Sequence, residues 1–154
     1  VYGPWGRPDM ALFLFTEAIL NSRPIRVFNH GKMERDFTYI DDIVNGIAKI
    51  LFNPPEENTD WDPLNPDPAS SSAPYRLYNI GNNNPVRLLD FIHAIEKETG
   101  KEAIMKMEDI QPGDVEKTWT DVQSLIEHYD YTPSTRVEEG IRNFITWYRD
   151  YYNY

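Results

Sequence analysis

The sequence predicts an α/β fold of short strands and helices in mixed order. Three observations carry that expectation. Stretches with apolar residues at helical spacing alternate with short runs rich in Ile, Val, Phe and Tyr. Gly, Pro, Asn or Asp marks most of the junctions between them. A composition of 40% hydrophobic and 14% aromatic over 154 residues suits one folded domain with a modest core.

Pro8 to Ser22 reads as a helix, with Asp9 placed to cap it and Met10, Phe13, Leu14, Ile19 and Leu20 on a broad apolar face. Pro24 ends it, and Ile25–Phe28 follows as a short strand. Asn29-His30-Gly31-Lys32 is a turn in which Gly31 is free to take positive φ. Arg35 to Tyr39 is extended and leads into a helix from Ile40 to Phe52, where Ile43, Val44, Ile47, Ile50 and Leu51 recur at helical spacing. Residues 54–74 break the composition. Rich in Pro, Ser, Asn and Asp and without periodicity, they read as a mobile surface loop whose only large apolar groups are Trp61 and Leu64.

Tyr75 to Gly81 reads as a strand, Leu88 to Thr99 as a helix stopped by Gly100, and Ala103 to Met107 as another strand. Asp109 to Lys117 is a loop around Gln111-Pro112-Gly113-Asp114, a good turn signature. Asp121 heads a short helix to Tyr129. A last helix follows Pro133, with Thr135 and Glu138 at capping-box spacing and a buried stripe of Val137, Ile141, Phe144, Ile145 and Tyr148.

A formal net charge of −10 lacks the cationic footprint that nucleic acid or an anionic membrane requires, so neither is an expected partner. A small anionic ligand stays compatible, because a few arginines can dominate one pocket. The absence of cysteine excludes disulfides, thiolate catalysis and thiolate metal sites. His30, His93 and His128 have no ligand spacing, and Asp41 and Asp42 at a helix start are more simply cap and dipole partners than metal ligands. No metal is expected.

Two arginines stand out. Arg7, in Trp5-Gly6-Arg7-Pro8-Asp9, precedes a helix start and can aim its fork at a carboxylate or phosphate; the plainer alternative is a rim ion pair. Arg35, in Glu34-Arg35-Asp36-Phe37, can clamp a pyrophosphate, or simply pair with Glu34, Asp36 or a neighbouring lobe.

Val1-Tyr2-Gly3-Pro4-Trp5-Gly6-Arg7-Pro8-Asp9-Met10, followed by Arg35-Asp36-Phe37-Thr38-Tyr39-Ile40-Asp41-Asp42, resembles the extended short-chain dehydrogenases, NAD-dependent nucleotide-sugar epimerases, and among them the UDP-glucuronate 4-epimerases. The resemblance implies a C-terminal substrate-binding lobe of a Rossmann-type enzyme, spanning 1–154 and lacking most of the dinucleotide-binding sheet. It implies that Arg7 binds the sugar carboxylate and Arg35 the diphosphate. The backbone of Val27 and Phe28 would read the uracil, and Asp114 a ribose hydroxyl. Gln111 stands where many relatives carry a phosphate-binding arginine, which moves that load to Arg35. Tyr2 and Pro4 would lie near the nicotinamide. Such enzymes need a Gly-x-x-Gly-x-x-Gly fingerprint and a Tyr-x-x-x-Lys pair, and neither occurs here, so no catalytic residue is expected within this chain.

The implied activity of the whole protein is interconversion of UDP-glucuronate and UDP-galacturonate, by oxidation and re-reduction at C4 with bound NAD. The implied partner is a UDP-sugar, with a homodimer compatible and the cytoplasm the default location. Two alternatives stand beside it. One is a sugar-nucleotide dehydratase or decarboxylase of the same superfamily. The other is a non-catalytic binding or assembly module working through Trp147, Tyr148, Tyr151 and Tyr152.

Overall fold

The computed structural model describes residues 1–154. Its elements run α1 (Ala11–Leu20), β1 (Ile25–Val27), a 3-10 turn (Phe28–Gly31), β2 (Glu34–Arg35), α2 (Ile40–Phe52), β3 (Val86–Arg87), α3 (Leu88–Thr99), β4 (Met105–Met107), α4 (Gln123–Tyr129) and α5 (Val137–Tyr152). The chain is α/β with little sheet. β1 pairs in parallel with β4, and β2 pairs antiparallel with β3.

Helix periodicity builds the core. α3 packs against both α1 and α5, and their inward residues join β1 in a cluster of 16 buried side chains that includes Ile19, Val27, Phe91, Ile95, Ile141, Phe144 and Tyr148. A second cluster of Val122, Leu125 and Tyr131 holds α4 and packs against Ile50 of α2. The turn after β1 follows its sequence: Gly31 takes φ 77°, and an added Cβ would meet Leu89 Cδ2 at 2.6 Å.

Several local expectations fail for physical reasons. Tyr75 to Gly81 forms no strand; apart from an isolated bridge between Ser70 and Arg76, it finds no partner. β3 at Val86–Arg87 stands where no strand is predicted, because two residues carry no periodicity to read. Asp9 does not cap α1, since its carboxylate is taken by Arg7. Thr135 does not cap α5, whose N-cap is Arg136 without a side-chain bond; the Thr135 amide donates to Asp42 instead. Two residues of the first loop take positive φ. They are Gly3 (φ 145°) and Trp5 (φ 62°), and Trp5 is held there by Trp147 and Tyr151 with ring centroids 5.2 and 5.0 Å away. Residues 54–74 form a surface loop without helix or strand, as their composition predicts, with internal hydrogen bonds that include Asn58 N to Ser71 O at 2.9 Å and Ser70 Oγ to Asp67 at 2.7 Å, while Leu64 is 93% exposed.

Asp42 does more than face the α2 dipole. Buried in that helix, it accepts from the Ser134 and Thr135 amides, both at 3.2 Å, and so ties α2 to the start of α5. Asp42→Ala should lower stability by about 1–3 kcal/mol by stranding both amides. An unchanged midpoint in urea would show that the link contributes nothing.

Burial pushes the phenols of Tyr131 and Tyr148 up to about 12 from the ordinary 10.0. Between those values the unfolded chain releases protons that the folded chain still holds. Stability is therefore full below pH 10.0 and falls as pH rises toward about 12. Replacing both residues with Phe should flatten that alkaline decline. A decline of the same slope in the double variant would assign it to other groups.

Candidate functional site

A cavity of about 800 Å³ opens beside α1, the β1 segment and the loop that carries Asp114. Core side chains form its floor: Tyr2, Leu12, Ile25, Met33 and Phe91 all line it and are all buried. Charge is confined to the remaining lining, where Arg23, Arg26, Arg35, Glu17, Asp36 and Asp114 gather. An apolar floor with a few convergent polar groups is the form of a small-molecule site.

Strand pitch sets the directions of these groups. In β1, Ile25 and Val27 face inward and Arg26 outward. Arg26 lies over the Phe28 ring, 4.8 Å from its centroid, and pairs with Glu108 at 2.6 Å. That contact holds the Glu108 carboxyl below its ordinary range. At the end of β2, Arg35 and the Asp36 that follows it take different partners. Asp36 does not pair with Arg35; its carboxylate accepts from the amides of Asn83, Asn84 and Thr120 and gathers those loops.

Arg35 is anchored and only partly used. Nη1 donates to the carbonyls of Glu34 (2.9 Å) and Glu116 (3.2 Å), and Nη2 donates to Asp114 Oδ1 at 2.9 Å. Three of its five N–H groups are thereby engaged, leaving Nε and one proton of Nη2 for a ligand. Asp114 Oδ1 also accepts from the Val115 amide, which leaves Oδ2 without a hydrogen-bond donor. The loop presenting Asp114 is a tight turn. The Asp114 amide donates to the Gln111 carbonyl at 3.0 Å, Pro112 follows Gln111, and Gly113 takes φ 84°. Glu34 N to Glu116 O and Thr118 N to Glu34 O then lace the loop to β2.

Of the residues singled out in the sequence, Tyr2, Phe28, Arg35 and Asp114 line this cavity; Pro4, Arg7, Val27 and Gln111 do not. Arg7 is exposed and closes its fork on Asp9, with Nε to Oδ1 at 3.0 Å and Nη2 to Oδ2 at 2.5 Å. The fork holds the Asp9 carboxyl below its usual range. Val27 is fully buried, and its carbonyl accepts from Glu108 N. Arg23 and Arg26 are the cavity cations that the sequence reading missed. Alternation within Ile25-Arg26-Val27 carried the signal for Arg26; nothing local carried it for Arg23.

A model of the NAD dependent epimerase/dehydratase family matches residues 1–81, just over half of the chain. This chain belongs to that family. It is similar to protein CapI of Staphylococcus aureus, 53% identical over 152 residues that cover 99% of this chain and 46% of that protein. It is 46% identical to a probable UDP-glucuronate 4-epimerase of Rhizobium meliloti, across 99% of this chain and 45% of that one. Among solved structures it is similar to UDP-glucuronic acid 4-epimerase from Bacillus cereus in complex with UDP-glucuronic acid and NAD, at 28% identity and a TM-score of 0.78. That match covers 98% of this chain and 43% of that one. The chain thus spans less than half the length of these relatives.

The dinucleotide on which the family depends does not fit the residues present here. Both sheets are two-stranded and offer no switch point between parallel strands. Tyr2 turns its ring into Phe37, Tyr39 and Phe91 and donates its hydroxyl to the Val137 carbonyl, so its side chain is core. No helix is long and apolar enough to cross a membrane.

Proposed function

We propose that this chain is the substrate-binding lobe of a nucleotide-sugar epimerase whose whole protein interconverts UDP-glucuronate and UDP-galacturonate at C4 with NAD. The Arg35–Asp114 pair at the cavity beside Phe28 carries the reading, in a chain 46% identical to a probable UDP-glucuronate 4-epimerase. The two unengaged N–H groups of Arg35 suit a diphosphate, and Asp114 Oδ2 suits a ribose hydroxyl. The main chain at Phe28 reads the uracil, since the Val27 carbonyl already accepts from Glu108 N. Gln111 contributes an amide where a second cation would bind more tightly.

Arg7 takes the sugar carboxylate in this reading. Its fork already grips a carboxylate, that of Asp9, so substrate binding is an exchange of one anion for another on the same donors. NAD would supply hydride transfer from groups outside these 154 residues, and the chain's own share is to bind and orient the sugar nucleotide. Calorimetric titration with UDP tests the reading. A saturable binding heat that uridine does not reproduce supports it, and no heat at all sinks it.

A further inference from the structure

Gly3-Pro4-Trp5-Gly6 folds as a reverse turn, closed by the Gly6 amide on the Gly3 carbonyl at 3.2 Å. Pro4 suits the second place of such a turn. Where the third place takes positive φ, glycine or asparagine usually fills it. Here Trp5 does, at φ 62°. A bulky side chain is strained by that backbone conformation, so contacts elsewhere must hold it there.

The last helix supplies them. Trp5 is 72% exposed, yet its ring meets Trp147 and Tyr151 of α5 with centroids 5.2 and 5.0 Å away. Those two rings stack on each other, 20° from parallel. Trp147 leans in turn on Phe144, a buried core residue with its centroid 5.5 Å away. The turn is clasped to the core through α5.

Arg7 depends on that clasp. Its side chain is 73% exposed and bonds only to Asp9, on the same loop. A second turn follows at once, with the Met10 amide on the Arg7 carbonyl at 3.2 Å. The guanidinium has no tie of its own to the body of the chain. Its place is set by two turns, and the Trp5 ring pins the first.

We propose that Trp5 is a positioning residue: its clasp on Trp147 and Tyr151 sets the place of Arg7, and with it the preference for a uronate over a neutral sugar. That role rests on the reading of Arg7 as the group that takes the sugar carboxylate. Helix α5 thereby shares in recognition, although none of its residues lines the cavity.

Calorimetry with UDP, UDP-glucose and UDP-glucuronate tests the role in the unsubstituted chain and in Arg7→Ala, Trp5→Ala and Trp147→Ala. The unsubstituted chain should prefer UDP-glucuronate to UDP-glucose by about tenfold, and Arg7→Ala should abolish the preference. Trp5→Ala and Trp147→Ala should each cut it to about twofold, because an arginine no longer held in place loses binding energy to ordering. UDP itself should bind both variants as before, since neither ring lines the cavity. Trp5→Phe, which keeps a ring against Trp147, should retain most of the preference. A preference that survives Trp5→Ala but not Arg7→Ala overturns the positioning role alone. Its loss in Trp5→Ala but not in Trp147→Ala also overturns it, since the indole would then touch the sugar directly. So does a parallel fall in UDP affinity, which would make Trp5 a prop of the whole fold. Equal affinities for the two sugar nucleotides in the unsubstituted chain overturn the carboxylate reading of Arg7 and the positioning role with it.

Discussion

Arg35→Ala should cut the affinity of this chain for UDP by at least about a hundredfold, while UDP binding to the Arg7→Ala chain should change little. The magnitude follows from the donors lost. Two charge-assisted hydrogen bonds to a diphosphate contribute about 1.5–3 kcal/mol each, and every 1.4 kcal/mol is about tenfold. Arg35 also holds the Glu116 carbonyl and Asp114, so its removal loosens the loop that offers Oδ2 to the ribose. Arg35→Lys separates the two roles. It keeps the charge but not the fork, so it should recover part of the affinity without restoring the loop. Added salt should weaken binding to the unsubstituted chain far more than to Arg35→Ala. Equal calorimetric affinities for Arg35→Ala and the unsubstituted chain would remove the diphosphate from this cavity.

The helices were legible because each carries its own period. α1, α2, α3 and α5 all lie where apolar spacing places them, and Gly100 ends α3 in the left-handed conformation expected of a C-terminal glycine. Capping was not legible. Asp9, Thr135 and Asp42 each have the right chemistry for a helix start, but a nearby arginine or a distant amide competes for the same atoms. Propensity ranks such options locally and cannot see a partner 92 residues away. The 75–81 segment failed for a related reason. Its alternation is real in the pattern of exposure, yet a strand exists only with a neighbour to complete its hydrogen bonds.

The site divides the same way. Arg35 and Asp114 stand 79 positions apart and meet at 2.9 Å. Each was legible through its own short motif, whereas their contact was not. For Arg7 the structure shows the plainer of its two readings, a rim ion pair. The carboxylate it holds in this structure is its neighbour two residues on, so proximity to the cavity could not be read from type and spacing. The ion pairs of Arg23 with Glu17 and Arg26 with Glu108 show how an acidic chain arranges a cationic rim. Each arginine at the cavity is stored on an acid, and an incoming anion must share or displace it.

Phe91→Ala should destabilise the chain by about 3–5 kcal/mol, through lost transfer energy plus the cavity left behind. Phe91 is fully buried on α3, stacks on Phe37 with centroids 3.9 Å apart, and meets the edge of Tyr2 at 6.1 Å. It also lines the ligand cavity, so the packing that closes the core is the floor of the site. A single domain has only about 5–15 kcal/mol of net stability, so the loss should lower the thermal midpoint by roughly 6–20 °C. Phe91→Leu, which keeps most of the volume, should cost far less. UDP affinity tells floor from scaffold. If Phe91 supports the ligand through packing, UDP should raise the midpoint of Phe91→Ala less than that of Phe91→Leu at equal ligand concentration. Equal shifts would mean that the apolar floor holds the fold and not the nucleotide.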